Sequence, residues 1–239
     1  MVYIRIRVPQ EVADAAKGDS QELANLVKEH YQASRSTQTR AMDLNAADNG
    51  AIRNQNQWIH YFNGQKKPMV SAPDIYRAGQ NGSSALIDSL QEDFDKSWVV
   101  SSTGINYNAD NLDARIIHNK GSIVVKPTQR KVLVPVYQNT QLGEVLETEE
   151  GKKYLKILFD TDDNPDKIGK TLVTLSGKGL DDNYVWTPTQ ENRASYPERA
   201  AVFGIDGGRF HVYGNDRFDD YDSRSRGVSV MSAKPTRKN

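Results

Sequence analysis

The stretch Leu112–Tyr137, LDARIIHNKGSIVVKPTQRKVLVPVY, constrains the fold more than any other part of the chain. It reads as strand, turn, strand, basic break, strand. Ile116, Ile117, Ile123, Val124 and Val125 are β-branched and suit a pleated, half-buried surface. His118-Asn119-Lys120-Gly121-Ser122 supplies turn chemistry between them, with Gly121 free to take a positive φ. Lys126-Pro127-Thr128-Gln129-Arg130-Lys131 is a second, cationic break. Val132, Val134 and Val136 then alternate with Leu133, Pro135 and Tyr137. Pro135 has no N–H to give a ladder, so this strand belongs at a sheet edge, or Pro135 at a bulge. His118, Gly121, Pro127 and Pro135 are therefore expected to act as scaffold positions.

The flanking sequence sets the class. Ile4, Ile6 and Val8 alternate with Arg5 and Arg7 as a short strand. Leu23, Leu26, Val27, His30 and Tyr31 mark an amphipathic helix over 20–33. From 34 to 73 the pattern dissolves into Ser, Thr, Gln, Asn and Arg, which reads as a polar arm holding one short helix around 51–62. Asn81–Ser84 caps an element that runs to Phe94. Ser97-Trp98-Val99-Val100-Ser101-Ser102 opens a β-rich region, with a polar loop expected from Gly104 through Asn111. Gly143–Lys156 reads as helix, and Thr171–Leu175, Val202-Phe203, Phe210–Tyr213 and Val228–Met231 as strands. The expected architecture is α+β. Residues 1–96 form an N-terminal strand, helices and polar arm, 97–233 a β-rich body, and 234–239 a basic tail.

Composition excludes more than it selects. The chain has 239 residues, 37% of them hydrophobic, and carries 31 basic against 31 acidic side chains. That balance gives no global pull toward nucleic acid or membrane. Cysteine is absent, which excludes disulfides, thiolate metal sites, iron–sulfur clusters and cysteine nucleophiles. MVYIRIRVPQ has no apolar core of a signal peptide, and no run approaches the roughly 18 apolar residues of a membrane helix. A cytoplasmic protein with no membrane partner and no cofactor is the expectation.

Candidate chemistry is sparse. The acidic stretch Asp160–Asp166 spaces oxygens at Asp160, Asp162 and Asp166 as calcium loops do. Pro165 stands where such a loop needs Gly, and Thr171 where it needs Glu, so an Asp-rich turn is the simpler reading. Asp216–Arg226 interleaves four aspartates with Arg217, Arg224 and Arg226, and reads as an exposed, self-compensating loop. His118 or His211 would need a carboxylate or second histidine beside it to serve as a base, and no motif guarantees one. A hydrolase or metal enzyme would require convergence of at least three of Asp160, Asp162, Asp166, His118 and His211. Arg5 and Arg7 on a strand followed by two helices also follow the order of a ribbon-helix-helix DNA reader. The neutral charge and the early break at Gly18-Asp19 weigh against that reading.

Asp113-Ala114-Arg115-Ile116-Ile117-His118-Asn119-Lys120-Gly121-Ser122-Ile123, the Lys126-Pro127 turn and Lys131-Val132-Leu133-Val134-Pro135-Val136 together resemble the phage virion-morphogenesis, or tail-completion, family. Its members carry an ARIHN-x-GG-x-I segment, a K-P turn and a K-x-L-x-I-P strand in that order. Ser83–Leu90 and Tyr196-Pro197-Glu198-Arg199-Ala200 are similar to further family elements. Ser122 replaces the second Gly, Ala200 stands where proline is usual, and a stretch of about 45 residues after Glu144 has no counterpart. The resemblance implies a non-enzymatic component of the virion, assembled at the head–tail neck or tail end through contacts with copies of itself or other particle subunits. The 34–73 arm and the 216–226 loop are the contact segments this reading expects.

Overall fold

The computed structural model describes residues 42–46, 48–216 and 223–230. The expected strand with Arg5 and Arg7, the helix over 20–33 and the basic tail lie outside them. The fold is α+β. Seven helices are described: α1 (Gln55–Gly64), α2 (Ala72–Asn81), α3 (Ser84–Lys96), α4 (Leu142–Glu147), α5 (Glu149–Leu158), α6 (Pro165–Ser176) and α7 (Gln190–Ser195). The strands are β1 (Met42–Ala46), β2 (Val99–Tyr107), β3 (Asp113–His118), β4 (Thr128–Leu133), β5 (Thr140–Gln141), β6 (Asn183–Trp186), β7 (Glu198–Asp206), β8 (Arg209–Asp216) and β9 (Arg226–Val230).

Seven strands form one sheet in the order β4-β3-β2-β7-β8-β6-β5, and β1 and β9 pair antiparallel as a separate ribbon. Every neighbouring pair in the large sheet is antiparallel except β6 and β8. The period-2 alternation of side chains shows how its centre is covered. In β7, Ala201 and Phe203 enter the main core while Ala200 and Val202 enter a second one with Trp58, Phe62 and Met69. In β2, Val99 and Val100 divide the same way. Helix α1 thus covers one face, and α2–α6 supply the main core on the other.

The helices start where capping chemistry stands. Asn54 accepts from Gln57 N–H while the Gln57 side chain accepts from Asn54 N–H, a reciprocal cap. Ser83 caps α3, and Asn164 caps α6 with Pro165 in its first turn. Helix α2 lies tightly on α6 at Gly79, where an added Cβ would stand 2.5 Å from Leu175 and 2.9 Å from Thr171.

Several expectations are corrected. Thr171–Leu175 is the end of α6, not a strand: Ile168, Leu172 and Leu175 share its buried face at helical spacing. Ile123-Val124-Val125 is an exposed loop and not a strand, whereas β4 begins at Thr128, inside the expected basic break, and ends before Pro135. It is nevertheless an edge strand. The loop expected from Gly104 is later, because β2 continues to Tyr107. The 51–73 part of the expected arm is folded into the body, with Gln55, Trp58, Phe62, Met69 and Val70 buried. The described residues fall in one compact unit, and only Ser97 and Trp98 separate α3 from β2. The charged 216–226 segment is buried at both ends, at Asp216 and at Ser223, Ser225 and Arg226. Residues 217–222 lie outside the described residues.

Candidate functional site

The most unusual surface is the connection between β3 and β4. Ile123 is 76% exposed, and Val124 and Val125 are 42% and 36% exposed. Single exposed aliphatics are ordinary, but three in succession on a loop need a reason. Burying such a side chain is favourable by roughly 1.5–3 kcal/mol. This loop forgoes that gain and yet is held in place. Asn119 and Gly121 take positive φ, at 54° and 69°. Ser122 N–H donates to Asn119 O at 3.1 Å, and Lys120 N–H to Ser102 O at 2.8 Å. The side chain of Asn63, at the end of α1, imitates a strand partner: its Nδ2 donates to Gly121 O at 2.9 Å and its Oδ1 accepts from Ile123 N–H at 3.1 Å. Ser122 Oγ accepts from both Val124 and Val125 N–H. The backbone is therefore satisfied while the side chains face water, the arrangement of a presented contact. Lys126 and Pro127, both exposed, follow the apolar tip, and β4 continues it as an exposed edge of which only Val132 is buried.

His118, immediately before the tip, is buried and fully engaged. Nε2 faces the Ile157 carbonyl, which can only accept, so in the neutral ring Nδ1 is the acceptor and receives Thr103 Oγ1–H at 3.1 Å, while Thr103 Oγ1 also accepts from Ala72 N–H at 3.0 Å. Nε2–H donates to Ile157 O at 3.0 Å. This ring ties β3 to the end of α5 and the start of α2 in its neutral form. Desolvation holds its pKa below 6.5, against the opposing pull of the Ile157 carbonyl and of Asp160 and Asp74. Neither nitrogen is left for general-base work. His211 is buried elsewhere, between Trp98 and Tyr184, and burial likewise depresses its pKa. Beyond β4, the Pro135 carbonyl accepts from Thr187 Oγ1 at 2.7 Å and from the Arg193 guanidinium at 3.1 Å, which fixes the strand's exit.

The acidic stretch is resolved into separate local roles. Asp160 takes φ 45° and pairs with Arg130 at 3.0 Å. Asp163, which the alternation passes over, receives Tyr76 OH at 2.9 Å and pairs with Lys167 at 2.8 Å. Asp166 lies in the first turn of α6 and Asp162 faces solvent. Among the described residues, no three His, Asp or Glu side chains come together to hold a metal.

A second surface lies on the other side of the sheet from α1. Helices α4 and α6 leave an open groove of about 840 Å³ between them. Leu146, Val173 and Leu180 line it, and Leu180 is 41% exposed. Gly143 and Gly169 keep it open; a Cβ at Gly143 would meet nothing within 4 Å. Asn63 and these groove residues had no distinguishing mark in the sequence. The two helical glycines were the one available signal, since Gly in a helix interior costs about 1 kcal/mol and asks for a packing reason. No helix among the described residues is long and apolar enough to cross a membrane. Comparison with family models, curated proteins and solved structures finds nothing that matches this chain.

Proposed function

We propose that this chain is a structural assembly subunit that works through protein–protein contacts, of the kind found at the head–tail neck or tail end of phage particles. The observation that carries this reading is the Ile123–Val125 tip, apolar, exposed and locked by Asn63 and Ser122. Rigid presentation of apolar side chains lowers the ordering cost of association. A preformed protein contact uses this arrangement, and a loop selected only for solubility does not. The resemblance over Leu112–Tyr137 supports the phage setting, with particle subunits as partners and the virion as final location.

The test is the mass of the full chain by light scattering across a concentration series, with amide exchange followed in parallel. Mass should rise with concentration and amides from Ile123 to Val125 should slow in the assembled sample. A monomer at every concentration, with unchanged exchange at the tip, would overturn self-assembly as the function.

A further inference from the structure

The tip and the α4–α6 groove complement each other in three respects. The first is polarity: three exposed β-branched side chains on one, and an open channel walled by Leu146, Val173 and Leu180 on the other. The second is charge. Lys126 and Lys131 flank the apolar tip and its edge strand, both exposed. Of the charged side chains that line the groove, Glu147 and Asp166 are acidic and Lys170 is basic, and of their exposed neighbours in the chain Glu144, Asp181 and Asp182 are acidic and Lys167 is basic, so the rim is acidic in balance. A chain with no net charge that segregates its charges in this way favours oppositely charged surfaces meeting. The third is position. The tip is fastened to α1, on one face of the sheet, while α4 and α6 belong to the core on the other. One copy's tip therefore faces away from its own groove.

From these observations, and resting on the assembly reading above, we propose that the occupant of the groove is a second copy of this chain. The Ile123–Val125 tip of one protomer inserts between α4 and α6 of the next, with Lys126 against the acidic rim. The contact is head-to-tail, so each protomer keeps one free tip and one free groove, and growth ends only by closing a ring. A tip of three side chains buries less than the area of a stable pairwise complex, so the single contact is weak and reversible. Association accordingly falls with salt, through the Lys126–rim attraction, but persists through the apolar part.

Two variants test this by light scattering of the full chain. Ile123→Asp puts an acid on an exposed tip, where folding is not at stake, and leaves the groove intact. Leu180→Asp, also at an exposed position, spoils the groove and leaves the tip intact. Each alone should lower association at least tenfold. Mixed in equal amounts, they should form a 1:1 pair and nothing larger, because one intact tip and one intact groove remain between them. Gly143→Phe, which fills the groove from a position with free space, should behave as Leu180→Asp does. If the wild-type chain assembles and Ile123→Asp or Leu180→Asp assembles equally well, the tip-in-groove contact is overturned while the assembly reading survives. Association by the mixed variants beyond a pair would also overturn it, as would an apolar small molecule filling the groove without displacing any protomer. A wild-type monomer at all concentrations would overturn both.

Discussion

Ile123-Val124-Val125 and Ser223-Arg224-Ser225-Arg226 exchange the places their composition suggests. The first is the most apolar run in its neighbourhood and stands in water. The second lies in a charged stretch, yet Ser223, Ser225 and Arg226 are each no more than 2% exposed. Arg226 is enclosed by partners: Asp93 at 2.6 Å, the Leu44 carbonyl at 2.7 Å, and the Ser89 carbonyl and hydroxyl at 2.8 Å. Arg224 adds a second contact to Asp93 at 3.1 Å. Tertiary partners decided burial here. A guanidinium with its donors satisfied can be interior, and an aliphatic run whose backbone is satisfied locally can be held outside. The buried run joins β9, β1 and α3, whereas the exposed run is free to join another molecule.

The largest expected effect breaks the buried half of that comparison. Arg226→Met leaves Asp93 facing the interior with only Arg224, and should cost about 3 kcal/mol or more in urea unfolding. Replacing both, as Asp93→Leu with Arg226→Met, should recover much of that loss. A single-variant cost under about 1 kcal/mol would mean that Arg226 is held by packing and not by its partners. At the exposed half, Asn63→Ala removes both side-chain bonds to the tip. It should lower stability by about 1 kcal/mol and speed amide exchange at Ile123; unchanged exchange would show that Ser122 and Gly121 suffice.

A third test concerns a buried polar group that stays neutral. His118 and His211 are both held below the ordinary 6.5 by burial. The unfolded chain thus takes up protons at a higher pH than the folded one. Their contribution is complete above 6.5 and is lost as pH falls through and below that value. Urea midpoints measured from pH 7.5 downward should decline, less steeply in His118→Asn; an identical slope in that variant would remove His118 from the account. The smallest effect is at the tip itself. Ile123→Ser should change monomer stability by less than about 0.5 kcal/mol, and a larger loss would show that the tip is part of the core after all.

Some of the fold was legible because its signals are local. Gly207 and Gly208 both take positive φ at the β7–β8 turn, a conformation that glycine adopts without strain. Ser83 caps α3 as the Asn81–Ser84 cluster indicated. Strand β3 follows from its β-branched pair Ile116-Ile117, and β7, β8 and β9 include the apolar segments Val202-Phe203, Phe210–Tyr213 and Val228–Val230, whereas β4 lies at the sheet edge although it ends before Pro135. Helix α6 was misread because Thr171-Leu172-Val173-Thr174-Leu175 has strand propensity in a short window. The Asn164-Pro165 start and the spacing Ile168, Leu172, Leu175 outweigh it over a longer one. For the candidate site, Gly121 and the basic turn were visible, but the Asn63 clamp spans 58 residues and the groove brings together α4, α6 and Leu180.

The sequence by itself determined the class, the turns, the caps and the absence of thiol chemistry, because each depends on neighbours in the chain. Only the tertiary structure decided which apolar run stays outside, which arginine goes inside, and that tip and groove lie on opposite faces of the sheet. Those outcomes depend on which distant partner satisfies a polar group or leaves an apolar one uncovered, and residue type alone does not encode that partner.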